Sequence, residues 1–139
     1  MQELDLRGKR VIDVGTGSGV LALAAWKLGA SVVAVDHDAD ALRNARENMT
    51  RNGADAAIEV READLANFAA EPADLVVANL TEGVLEKYAT RLNALAKAGG
   101  ALLVSGFPPA VISTIARALG RSVMKESIEG DWAAVVLEA

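Results

Sequence analysis

Asp13-Val14-Gly15-Thr16-Gly17-Ser18-Gly19 sets three glycines at alternate positions directly after an apolar, β-branched run. Glycine suits a loop that lets a ligand approach the backbone, because a side chain would block the approach and tight turns use positive φ. Asp36 ends the next β-branched run, 21 positions after Gly15 (36 − 15). A carboxylate at that spacing accepts hydrogen bonds from the two hydroxyls of a ribose, so loop and acid together point to a ligand containing a nucleoside. A dinucleotide calls for G-x-G-x-x-G or A. The last slot of that pattern is Val20 here, where a small residue must let helix and pyrophosphate meet, so a nicotinamide oxidoreductase fits poorly. Asp13 lies inside the first apolar run, where a carboxylate needs hydrogen bonds to be tolerated. By residue type alone, Asp64 reads as a helix N-cap and Asn79 as a turn-forming amide.

These residues need a frame. Lys9 to Gly15 reads as a buried strand, Val20 to Leu28 as a helix apolar nearly all round and stopped by Gly29, and Ser31 to Asp36 as a strand covered on both faces. Asp38 caps a helix from Ala39 to Arg51, ended by Asn52-Gly53. Ala57 to Arg61 alternates and predicts a more exposed strand, while Asp74 to Asn79 predicts a buried one. One amphipathic helix is expected from Glu82 to Lys97, ended by Gly99-Gly100, followed by a strand from Ala101 to Ser105 and a helix from Pro108-Pro109 to Leu119. Ser122 to Ile128 and Trp132 to Leu137 read as closing strands joined through Glu129-Gly130-Asp131. Alternating strands and helices imply an α/β fold: a Rossmann-like, doubly wound, mostly parallel sheet of about seven strands. Its last two strands have no helix between them and must form an antiparallel hairpin. Ligands of such sheets sit beyond the carboxyl ends of the strands, the edge that carries Gly15-Thr16-Gly17, Asp36, Asp64 and Asn79. Trp26 and Trp132 each lie in an apolar run and are expected in the core.

The chain has 139 residues, which predicts one domain over 1–139 with a real hydrophobic core. Fourteen basic against nineteen acidic residues leave a net charge of −5, which argues against binding nucleic acid through broad charge attraction. There is no cysteine, so disulfides, thiolate metal sites and cysteine nucleophiles are excluded, and His37 is the only histidine. Asp36, Asp38 and Asp40 stand beside it, but Asp38 is better used as a cap, and no metal site is expected. No apolar run approaches the roughly 18 residues of a membrane span, and no signal-peptide core opens the chain; a cytoplasmic protein is expected.

The glycine loop in its G-x-G-x-G form resembles the S-adenosylmethionine loop of the class I methyltransferases. The stretch Val11 to Ala22, with Lys27-Leu28-Gly29-Ala30, Val35-Asp36-His37-Asp38, Ala45-Arg46-Glu47-Asn48 and Asp74 to Leu80, is similar to the catalytic domain of the PrmA family of ribosomal-protein methyltransferases. Arg51-Asn52-Gly53, Leu102 to Gly106 and Glu129 to Ala133 extend the likeness over nearly the whole chain. The resemblance implies S-adenosyl-L-methionine as cofactor, S-adenosyl-L-homocysteine as product and amines of a ribosomal protein as acceptor. It implies contacts to the cofactor from Asp13, Gly15, Thr16, Gly17, Gly19, Asp36, His37, Asp64, Leu65 and Asn79. Of these, Asp64 would bond the adenine amine and His37 would pack along the base, although as a sequence position His37 also reads as an ordinary loop histidine. Asn79, facing the methionine portion and the acceptor, is the expected catalytic residue. Glu82 reads either as a group at the substrate mouth or as a solvated first-turn acid. The family's N-terminal substrate domain, linker and closing loop have no counterpart here, and Asn79-Leu80-Thr81-Glu82-Gly83-Val84 stands where relatives read N-I-L-A-x-P. The chain is therefore expected to be a minimal, excised or engineered catalytic core, or a shortened relative with another substrate, with a non-catalytic or nearly inactive cofactor-binding module or scaffold as the alternative.

Overall fold

In the computed structural model, which describes residues 4–138, strands and helices alternate up to a closing hairpin, except that no helix stands between the strands Ile58–Glu62 and Ala73–Asn79. The chain divides into two compact units, Met1–Ala69 and Ala70–Ala139. No helix among the described residues is long and apolar enough to cross a membrane.

The first unit holds β1 (Arg10–Val14), α1 (Val20–Lys27), β2 (Ser31–Asp36), α2 (Ala39–Arg51) and β3 (Ile58–Glu62). Its strands run in the order β3-β2-β1, parallel throughout. Val11, Ile12, Val33 and Val35 are almost fully buried, as continuous β-branched runs in a parallel sheet should be. Helix α1 ends where Gly29, at φ 95°, turns the chain back: the Gly29 N–H donates to Trp26 O at 2.9 Å and the Ala30 N–H to Ala25 O at 3.1 Å. That pair of bonds is a Schellman cap. Helix α2 starts on Asp38, whose Oδ1 accepts the Asp40 and Ala41 N–H groups at 2.9 and 3.4 Å. Its buried stripe is Leu42, Ala45 and Met49.

The second unit holds β4 (Ala73–Asn79), α3 (Glu82–Lys87), α4 (Ala89–Leu95), β5 (Ala96–Phe107), α5 (Ile112–Leu119), β6 (Ser122–Glu129) and β7 (Trp132–Glu138). Strand order is β4-β5-β7-β6, with β4 and β5 parallel and β7 antiparallel to both neighbours. Two expectations need correction here. The single helix from Glu82 to Lys97 is two, because Tyr88 leaves helical geometry at φ −106°, ψ 18°. It also ends at Leu95, since Ala96 is extended and already pairs with Ala73. Between Ala96 and Ala101 the strand bulges, so that four residues oppose Asp74 alone. An ion pair from Lys97 to Asp74 and a bond from Arg121 Nη1 to Gly100 O (2.8 Å) hold the bulge. Arg121 Nε also donates to Asn93 Oδ1 at 2.6 Å, tying α4 to the segment after α5. The regular part of β5 is the stretch legible in the sequence, Ala101 onward.

Gly19 is where the glycine loop meets this packing. Its φ is +82°, and a Cβ there would stand 3.2 Å from the Met49 methyl and 3.3 Å from the Ala45 Cβ on α2. Gly17 also has positive φ, +56°, but a Cβ there would meet only open space apart from Gly15 O at 4.0 Å. Replacing either by alanine costs about 1–2 kcal/mol for the left-handed backbone, and Gly19→Ala should add about 1 kcal/mol or more of overpacking. Urea denaturation of both variants should therefore rank Gly19→Ala clearly below Gly17→Ala; equal losses would show that α2 yields freely.

Candidate cofactor and acceptor sites

Strand β1 delivers Asp13 into the loop from below. The carboxylate is 2% exposed and accepts the Thr16 hydroxyl at 2.7 Å; Thr16 itself is 8% exposed. Removal from water raises the Asp13 pKa to about 6, against the opposing pull of the bonds from Thr16 and from the Ala22 backbone N–H, and nearby Asp36 raises it further. The Ala22 bond lies in the first turn of α1, whose N-cap is Gly19 and offers no side chain. Asp13 thus does from within the strand what a capping residue would do from the loop. The loop backbone is tied down as well: the Gly15 and Thr16 N–H groups both donate to Val35 O, at 2.9 and 3.0 Å, and Asn48 Nδ2 donates to Ser18 O at 2.9 Å.

Asp36 closes the arrangement. Its Oδ2 accepts the Gly17 N–H at 3.0 Å and its Oδ1 accepts the Asp38 N–H at 3.0 Å, with the side chain only 10% exposed. Each oxygen keeps a further lone pair for a ligand donor. His37 is an open loop histidine, 82% exposed, with Nδ1 3.6 Å from Asp36 Oδ1. Asp64 is exposed and caps no helix: its Oδ1 accepts the Ala66 N–H at 3.0 Å within a turn, and Leu65 beside it is half-buried. The structure therefore brings Asp13, Gly15, Thr16, Gly17, Gly19 and Asp36 into one bonded loop. Asp64 and Leu65 stand just past β3 and His37 just past β2, each at the strand end expected of it.

Asn79 belongs to the second unit. It ends β4, is exposed, and pairs in register with Ser105 of β5. Gly106 comes so close that a Cβ on it would stand 2.8 Å from Asn79 Oδ1 and 2.8 Å from Leu80 O. Asn79, Ser105, Gly106, Ser127, Glu129, Trp132, Ala133 and Ala134 line a cavity of about 430 Å³. Trp132 is 59% exposed and lines this cavity, which corrects its expected place in the core; Trp26 is only half-buried. Glu129, by sequence a turn residue, is the last residue of β6 and pairs with Trp132. The sequence does carry a signal for both residues. A two-residue turn at Gly130-Asp131 fixes the hairpin register, and register fixes which side chains share a face.

The whole chain, residues 1–139, matches the family model for ribosomal protein L11 methyltransferase (PrmA). The chain belongs to this family. It is 40% identical over 130 residues to the ribosomal protein L11 methyltransferase of Heliobacterium modesticaldum, covering 91% of this chain and 41% of that protein. With the Shouchella clausii protein of the same name it shares 35% identity over 137 residues, covering 95% of this chain and 44% of that one. The crystal structure of the ribosomal protein L11 methylase from Lactobacillus delbrueckii subsp. bulgaricus superposes with a TM-score of 0.90 at 30% identity, over 98% of this chain and 72% of that one. The fold is thus the Rossmann-like, doubly wound α/β fold of the PrmA methyltransferases. The chain spans less than half the length of the two curated relatives above.

The raised pKa of Asp13 has a stability consequence with a definite sign. The folded state holds this proton more tightly than the unfolded chain, so the group's contribution is fully present below about pH 3.8 and is lost as pH rises through about 6. The full swing is about 3 kcal/mol. Asp13→Asn, which mimics the protonated form, should gain stability relative to the parent chain between pH 4 and pH 8. Urea unfolding of both chains across that range checks it, and a difference independent of pH would show that Asp13 titrates normally.

Proposed function

We propose that this chain is the S-adenosyl-L-methionine-binding catalytic core of a methyltransferase that modifies amino groups of a ribosomal protein. The observation that carries the cofactor half is the Asp36 carboxylate bonded to the Gly17 N–H. A pyrophosphate needs free loop and helix N–H groups. Here the Gly17 N–H is taken by Asp36 and the Ala22 N–H by Asp13, so two carboxylates stand where a phosphate would be repelled. A nucleoside without phosphate fits such a loop, with the remaining lone pairs of Asp36 accepting from ribose hydroxyls. The open space over Gly17 leaves room for the ligand to lie against the backbone.

In this reading Asp36 holds the ribose, Asp64 with Leu65 and His37 receives the adenine, and the loop Gly15-Thr16-Gly17 with Gly19 and Asp13 shapes the floor beneath the amino-acid portion. The cofactor, when bound, supplies an electrophilic methyl group on a sulfonium. Asn79 is the group that orients the acceptor amine, through its side-chain amide or the neighbouring carbonyl. No strong acid or base is required of the protein, because positioning and exclusion of water supply most of the acceleration in such a displacement. Membership in the PrmA family supports the ribosomal-protein acceptor and, with it, a cytoplasmic site of action.

Isothermal titration with S-adenosylhomocysteine, with NAD in parallel, tests the reading. The former should bind and NAD should not. Asp36→Ala should weaken binding about 10- to 150-fold, the loss of a charged hydrogen bond worth about 1.5–3 kcal/mol. Binding of NAD alone, or an unchanged affinity in folded Asp36→Ala, would overturn it.

A further inference from the structure

Strand β6 ends the order β4-β5-β7-β6, and among the described residues no strand pairs with its outer side. All eight of its residues are exposed, among them Val123, Met124 and Ile128 at 39%, 49% and 50%. Such an edge presents a row of backbone N–H and C=O groups that a further strand can take up. Two features set its usable length. The pairing with β7 slips between Val123 and Lys125, a bulge that bends the strand, and the hairpin turns at Gly130-Asp131. Regular strand therefore runs from Lys125 to Glu129, with Ser127 at its midpoint. Lys125, Ser127 and Glu129 stand on one face, in register with Val136, Ala134 and Trp132 of β7, and Glu126 and Ile128 stand on the other.

Charge decides which strand fits this stretch. Residues directly opposite in antiparallel strands share a face and successive residues of one strand do not, so a two-fold pairing of β6 with a second β6 must be centred on a residue. Centred on Lys125, Glu126 or Glu129, it sets a charge against its own copy, which is destabilising. Centred on Ile128, it meets the turn beyond Glu129 and leaves Lys125 and Glu126 unused. Centred on Ser127, it uses the whole regular stretch and sets Lys125 opposite the partner's Glu129 and Glu129 opposite the partner's Lys125. The two Ser127 hydroxyls then meet at the axis, and on the other face Ile128 lies beside the partner's Glu126. We propose that β6 joins two copies of this chain edge to edge, as antiparallel strands about a two-fold axis at Ser127. So short a contact covers less than the roughly 1,200 Å² of a stable interface, which sets a dissociation constant on the order of 0.1 mM. None of the residues assigned to the nucleoside takes part, so the pairing stands apart from the methyltransferase reading.

Sedimentation equilibrium of the full chain, at concentrations up to about 1 mM, tests the pairing. A reversible monomer–dimer equilibrium is expected. Lys125→Glu sets acid against acid at both ends and should weaken it about tenfold or more. Lys125→Glu combined with Glu129→Lys reverses both pairs and should restore the parent affinity. Lys87→Glu, the same change of charge on α3, should leave it unaltered. The register is read separately with cysteine, which the parent chain lacks. Ser127→Cys faces its own copy and should oxidise to a covalent dimer. Ile128→Cys stands diagonally about 7–8 Å from its copy, beyond the reach of a disulfide, and should stay monomeric on oxidation. Circular dichroism matching the parent shows that each variant folds. A monomer at every concentration, an equilibrium untouched by Lys125→Glu or equally weakened by Lys87→Glu, a double reversal that restores nothing, or equal crosslinking of the two cysteine variants would each overturn the proposal.

Discussion

The Thr16 hydroxyl donates to a carboxylate, that of Asp13, which is almost wholly removed from water. That bond, with the Ala22 N–H on the same carboxylate, couples the end of β1 to the first turn of α1 across a loop that has no side chain at its own N-cap. The rest of the first unit is arranged around it. Once Thr16 is turned inward, Gly17 presents its N–H to Asp36, and Gly19 is brought against α2, where a side chain would crowd Met49 and Ala45. The buried acid is held at a cost, which its raised pKa registers. Residues that strain a fold in this way persist where the surrounding structure over-determines them, as it does in this loop.

Much of the first unit is legible in the sequence because local rules and tertiary context agree there. Val32, Val33 and Val35 can only make a buried strand, Asp38 can only cap the helix that begins at Ala39, and the glycine spacing can only make a tight loop. The partners of Asp13 are not legible. Sequence demands that a buried carboxylate be bonded, but the choice of Thr16 and Ala22 depends on how the loop curls back. Asp64 shows the same limit: its type suits a helix cap, and it satisfies the same bonding capacity in a turn with no helix after it.

In the second unit each departure from expectation has its own physical reason. Val84, Leu85, Leu92 and Leu95 keep a helical spacing across Tyr88, so periodicity runs on where the backbone does not. The early start of β5 is hidden because Lys97 to Gly100 form a bulge stabilised by Asp74 and Arg121, partners distant in sequence. An apolar neighbourhood alone would bury Trp132. The face it occupies is the one that opens on a cavity, and only the pairing of β7 with both β5 and β6 decides which face that is.

The central claim is that the loop anchored by Asp13 and Asp36 receives an adenosine. A crystal structure of this chain grown with S-adenosylhomocysteine tests it most directly. Both ribose hydroxyls should lie within hydrogen-bonding distance of the Asp36 carboxylate, with Gly17 still donating to it and Asp13 still bonded to Thr16. An adenosine seated elsewhere, such as the arginine-lined cavity of Arg43, Arg46 and Arg51 on α2, would contradict it.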